Sequence, residues 1–300
     1  MRRSLLIGLS VLVFGCQATR ENPTGTTTTG GSAGSEPTGG TSANGGSGGS
    51  GASGVGGFGG FGGQGGGTVV GETEVFGHSA ATLYKLDPIT KQVTIVGDFV
   101  DCNGEGVIDI ALDKDGNMVG TTFGGLYAID KTNAHCVLIS SGSYPNSLSF
   151  VPQGTVDPNT EALVGYEGSN YVRIFTDTGN VQQIGSLGAG YTSSGDIVSV
   201  KGGGTYLTVF GGPEGCADCI IEVDPVSGAF VKNIGALGHS SVYGLAFWGG
   251  VAYGFDSFGE LFQIDLTNAS TTIINIPGAP GNLSFYGAGS STSAPLEPPK

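Results

Sequence analysis

A chain of 300 residues is long enough for two average domains, but its composition changes so sharply near residue 72 that one folded domain is expected. With 59 glycines and 12% charged residues, it argues against an α-rich enzyme and for short strands and turns. The formal charge of −14 falls mostly on the C-terminal part, so the domain repels phosphate backbones and anionic lipid surfaces, and no nucleic-acid partner is expected.

Arg2 and Arg3 precede an apolar run over residues 5–14, the charged and hydrophobic regions of a signal peptide. The run is too short to span a bilayer, which takes about 20 residues. It ends in Val13-Phe14-Gly15-Cys16, which resembles the lipobox of bacterial lipoproteins, although that family prefers Leu at the position of Val13 and a small residue at that of Phe14. The resemblance implies that residues 1–15 are removed and that Cys16 becomes an acylated N-terminus holding the exported chain to a membrane. Gln17, in place of Asp, implies the outer membrane.

Residues 16–72 are Thr, Ser, Gly and little else, and cannot bury enough apolar area to offset the entropy of ordering. This segment is expected to be a disordered tether, about 40 Å from end to end as a flexible coil. It is similar in style to the tethers behind the lipobox in myxobacterial lipoproteins.

From residue 73 a motif recurs at 83–87, 126–130, 171–175, 220–224 and 261–265, alternating as half-buried strands do (LYKLD, LYAID, YVRIF, IIEVD, LFQID). A polar turn and a second alternating run follow each copy, at 93–96, 136–139, 181–184, 230–234 and 272–276, so each pair is a predicted hairpin. Apolar-small-apolar triplets at 110–112, 148–150, 198–200 and 245–247 precede four of the hairpins, each with a further strand between, at 119–121, 164–166, 208–210 and 253–255. The first hairpin has only the strand at 76–78 before it, and a spare triplet, 283–285, follows the last.

Four-stranded units about 40 to 50 residues apart, one of them completed from both ends of the domain, predict a closed all-β fold, a five-bladed β-propeller over residues 73–288. Residues 283–285 would pair beside 76–78 and leave no open edge, and residues 289–300 are expected to be a disordered tail. A twisted sandwich is the competing architecture, but it does not account for the split unit. The segments 83–88 and 113–119 resemble the outer and inner hairpins of the NHL and gluconolactonase-like propeller superfamilies, a likeness of repeat grammar that transfers no activity.

Asp113, Asp115 and Asn117 imitate part of a calcium loop, but the spacing fails after Gly116, and Asp-Gly-Asn also suits a tight hairpin turn. Cys216 and Cys219 lack a second Cys pair or a His at zinc spacing, so a local disulfide is expected in an exported protein. Four cysteines allow three connectivities, and this one leaves Cys102 with Cys136. Joining those two requires the loop 100–106 to fold down the side of a blade. Signatures of nucleophilic, zinc-peptidase and nucleotide chemistry are missing.

The remaining candidates are positional. Asp109, Asn146, Asp196, Tyr243 and Asn282 stand at or just before the innermost strands and would ring one mouth of the central channel, with Glu167, Asp256 and His78 at the ends of second strands beside them. These groups either cap strand ends and hold channel water, or accept a cation or cationic ligand. The expected function is a non-catalytic, monomeric surface module that binds a protein or carbohydrate and needs no cofactor. The alternative is a metal-dependent hydrolase of lactones or esters, with Ca²⁺ or another divalent cation held by Asp109, Asn146, Asp196 or Glu167.

Overall fold

The computed structural model describes residues 74–277 and 279–299. The signal peptide, Cys16 and the tether lie outside the described residues. The chain forms five antiparallel four-stranded sheets. The first blade contains β1 (Val75–His78), β2 (Thr82–Leu86) and β3 (Val93–Asp98), and the second β4 (Asp109–Leu112), β5 (Met118–Thr121), β6 (Gly125–Asp130) and β7 (His135–Ser141). The third comprises β8 (Leu148–Val151), β9 (Ala162–Glu167), β10 (Asn170–Ile174) and β11 (Val181–Ser186), and the fourth β12 (Tyr191–Ser199), β13 (Thr205–Gly211), β14 (Cys216–Val223) and β15 (Phe230–Ala236). The fifth holds β16 (Val242–Trp248), β17 (Val251–Asp256), β18 (Leu261–Ile264) and β19 (Thr271–Ile274), after which β20 (Gly287–Ser290) returns to pair with β1. The innermost strands touch in the cycle β4, β8, β12, β16, β20 and back to β4, so the ring is closed and the fold is a five-bladed β-propeller.

Burial explains why the two ends of the repeat look different in sequence. Every residue of β4, β8 and β20 is buried, because an inner strand packs on neighbouring blades through both faces, and the apolar-small-apolar triplets follow from that. The outer strands face solvent and expose Ile95, Val137, Val181 and Val231. The third and fourth strands are joined by a turn in which the last residue of the motif acts as a cap: Asp87, Asp130, Asp224 and Asp265 each accept backbone N–H groups from two or three residues on. Hydroxyl donors Thr132, Ser227 and Thr267 bond three of the same carboxyls, and with the backbone N–H groups they hold all four below the ordinary aspartate range.

The closing strand lies four residues beyond the predicted triplet. Phe285 is fully buried, edge-on to Tyr84 and Phe255 between the first and fifth blades, and the strand proper is Gly287-Ala288-Gly289-Ser290. Crowding at the axis decides this: a Cβ at Gly287 would collide with Asp109 Oδ1 and His78 Nε2, so glycine is needed where the apolar pattern pointed to Leu-Ser-Phe.

The chain does not end in a loose tail there. Ser291 Oγ donates to Asp113 O of the second blade (2.8 Å) and Thr292 Oγ1 to Glu161 Oε1 of the third (2.5 Å). Lys201 N of the fourth blade donates to Thr292 O (2.9 Å) and Gly249 N of the fifth to Pro295 O (2.7 Å). The segment thus crosses the end of the propeller opposite the start of the inner strands.

Both expected disulfides form. Cys216 and Cys219 have Cα atoms 5.4 Å apart, and Cys102 and Cys136 5.2 Å apart. The second is allowed because the loop after β3 adds to the edge of β7: Val100 bridges His135, with Cys136 N donating to Val100 O at 2.8 Å. At the turn between β4 and β5, Asp113 Oδ1 accepts the N–H groups of Asp115 and Asn117, and Oδ2 accepts Asn117 Nδ2, so the Asp-x-Asp-Gly-Asn sequence closes on itself.

Candidate functional site

All inner strands begin at the same end of the ring, here the mouth. Asp109 opens β4 of the second blade, Asp196 lies within β12 of the fourth at the irregularity between Ser193 and Ile197, and both are fully buried. Each spans two blades. Asp109 Oδ1 accepts Ile110 N (2.8 Å) and Oδ2 accepts Leu148 N of the third blade (2.6 Å). Asp196 Oδ1 accepts Ile197 N (2.6 Å) and Oδ2 accepts Leu245 N of the fifth (2.7 Å). The two carboxyls are close enough for each to influence the other's titration. Burial, and then the Asp196 charge, push Asp109 well above the ordinary carboxylate range, and burial does the same to Asp196. Uptake of a proton by this pair neutralises it in part.

His78, at the end of β1, is fully buried and edge-on to Phe99. Its Nδ1 lies 2.9 Å from Ser79 O and so carries the proton, which leaves Nε2 as a bare acceptor. That Nε2 and Asp109 Oδ1 face the same point beside Gly287, and Nε2 and the buried Ser147 Oγ have no partner among the described residues. Burial lowers the His78 pKa to about 4, so it is neutral near pH 7. Chemically, this inner shell offers acceptors and suits a hydrogen-bond donor or cationic group, not an anion.

The other sequence candidates do not join this shell. Tyr243 is half-buried on β16, whereas Asn146, Glu167 and Asn282 are exposed. Ser147 takes the inward position predicted for Asn146, and Gly287 the one predicted for Asn282. Asp256 is buried at the end of β17, where Oδ1 accepts Phe258 N (3.0 Å) and Glu260 N (2.9 Å). Its surroundings include His239 and Glu260, which sequence spacing did not bring together.

Around this shell the end of the propeller has a uniform character. None of the loops at the mouth contains Lys or Arg, while the turns at the opposite end hold Lys91, Lys114, Lys131 and Lys201. Acidic side chains at the mouth include Glu105, Glu167, Glu214, Asp218 and Glu260. Among the described residues, the exposed aromatic side chains Phe123, Phe210, Phe258 and Tyr286 are all at this end, with Phe123 77% and Phe258 71% exposed. A cavity of about 300 Å³ lies at the other end, lined by Pro88, Lys91, Trp248, Tyr253 and Pro298. There Lys91 Nζ is bonded to Pro88 O and Tyr253 OH, and the C-terminal segment forms part of the wall, so the mouth carries the stronger case for a binding site.

Fold and site together define a five-bladed propeller with an acidic, aromatic-rimmed mouth. No known protein family matches the chain, and no curated protein does. Among solved structures it is similar to a chain of the nidogen/laminin complex, at 12% identity over 72% of this chain and 96% of that one, with a TM-score of 0.46. It is also similar to a protein of unknown function from Bacteroides caccae (12% identity, 72% and 97% covered, TM-score 0.40) and to the calcium-binding protein regucalcin from Agrobacterium tumefaciens (16% identity, 62% and 65% covered, TM-score 0.41). At these identities and scores the likenesses assign no ligand, partner or reaction to this chain.

Proposed function

We propose that the chain is an exported lipoprotein, acylated at Cys16 and tethered by residues 16–72 to a bacterial outer membrane, whose propeller is a non-catalytic binding module for a Lys- or Arg-bearing protein segment. The observation that carries this reading is the coincidence at the mouth of exposed aromatic rings with carboxylates and the absence of Lys and Arg from its loops. Aromatic faces and acidic groups attract the same ligands, since a guanidinium or ammonium gains from both cation–π contact and ion pairing. Aromatic side chains are also what protein interfaces favour, and four of them at one end form a pattern that scattered surface hydrophobics do not. The Asp109 and Asp196 oxygens, each engaged by backbone N–H groups, favour a binding role over the alternative of a metal-dependent hydrolase in the channel.

The test is a binding comparison on an array of basic and acidic peptides. The full chain should prefer basic peptides, and Phe123→Ala with Phe258→Ala should weaken that preference about tenfold or more at unchanged melting temperature. Equal binding of acidic and basic peptides would refute the partner class. Membrane attachment is tested separately: Cys16→Ser should move the protein from the detergent phase into the soluble fraction.

A further inference from the structure

At the rim of the mouth on the fifth blade, three side chains converge in a way that strand capping does not require. His239, in the loop before β16, has Nδ1 3.1 Å from Glu260 Oε2 and 3.7 Å from Asp256 Oδ2, and the three ligand atoms lie within 4.8 Å of one another. We propose that His239, Asp256 and Glu260 form a site for a zinc-class divalent cation.

The ring is held in place before any ligand arrives. His239 stacks on the buried Phe262 with ring centroids 3.8 Å apart and planes 9° apart, and Nε2 lies 3.2 Å from Thr271 Oγ1. The Thr271 hydroxyl can donate to Nε2 or accept from it, and in the tautomer that carries its proton on Nε2 the Nδ1 lone pair faces the two carboxylates, the orientation a metal-ligating imidazole takes. Asp256 is the second indication. Its side chain is 2% exposed, Oδ1 is taken by two backbone N–H groups, and Oδ2 has no hydrogen-bond donor among the described residues and faces Nδ1. The same Oδ1 bonds fix the backbone of Glu260, so two of the three donors are mutually positioned. One imidazole nitrogen and two carboxylate oxygens suit Zn²⁺ or Co²⁺, whereas Ca²⁺ wants six to eight oxygens. Glu260 is 47% exposed, which leaves the outer side open for water or a partner's donor as a fourth ligand.

The experiment is titration of the purified full chain with ZnCl₂ by calorimetry, and with Co²⁺ by visible absorption, at pH 7.5. Wild type should bind one ion and give a Co²⁺ spectrum of low coordination number, and Glu260→Gln and His239→Gln should each weaken Zn²⁺ affinity at least tenfold. Glu260→Gln keeps size and backbone capping, so its fold should survive even if a His239 variant proves unstable. Affinity unchanged in Glu260→Gln, or wild-type binding no tighter than that of a His239→Gln/Glu260→Gln double variant, would mean that the trio is only a hydrogen-bonded cluster. The readout is the ion itself, so failure here leaves the peptide-binding test unaffected.

Discussion

At the scale of single residues, the mouth combines acids that favour a proton with a histidine that resists one. Because every Asp109 and Asp196 oxygen accepts a backbone N–H, replacing either with Asn removes an acceptor and turns an amide donor toward a buried N–H. Each single change should therefore cost about 1–3 kcal/mol, read by urea denaturation near pH 7, even though it removes a repulsive charge. For these acids, whose folded pKa is raised, stability is greatest below the ordinary aspartate pKa and is lost as pH rises through the raised range. His78 has the opposite sign: its folded pKa, lowered from 6.5 to about 4, contributes stability that is complete above pH 6.5 and lost as pH falls toward 4, by about 3 kcal/mol. Comparing wild type with His78→Gln across that window should show the wild type alone losing this increment; identical pH profiles would contradict it.

At the scale of elements, the two disulfides should differ in effect. Cys102–Cys136 closes 34 residues and Cys216–Cys219 closes 3, so loop entropy gives about 4 kcal/mol for the first and about 2 for the second. Serine pairs at 102/136 should lower the melting temperature by more than pairs at 216/219. The C-terminal elements separate in the same way. Removing residues 291–300 takes away bonds to four blades but keeps β20, so the protein should remain folded and melt a few degrees lower. Removing residues 287–300 opens the ring beside β1, and the domain should aggregate. Circular dichroism melts and light scattering distinguish the two truncations. Most strands were legible in the sequence because outer strands alternate and inner strands carry apolar triplets. β20 was not, because glycine at the crowded axis carries no hydropathy signal and the neighbouring Leu-Ser-Phe does.

At the scale of the molecule, charge and aromatic exposure are sorted between the two ends of one ring, and chain order alone could not show it. Asp109, Asp196 and His78 could be placed near one end of the ring because the repeat sets where each triplet and second strand falls, although β12 begins five residues before Asp196. The convergence of His239 and Glu260 on Asp256 was not legible, since it depends on loop geometry. The C-terminal segment crosses the end where the lysine-bearing turns lie, whereas the mouth at the other end is the face on which the proposed binding rests. Cross-linking mass spectrometry with a photoreactive Lys/Arg-rich peptide measures this most directly. Adducts are expected at Phe123, Phe258, Tyr286 and neighbouring mouth loops, diminishing as salt is raised from 50 to about 500 mM. Adducts concentrated instead at Pro88, Trp248 and the turns bearing Lys91 and Lys114, or insensitive to salt, would show that the acidic mouth is not the binding face.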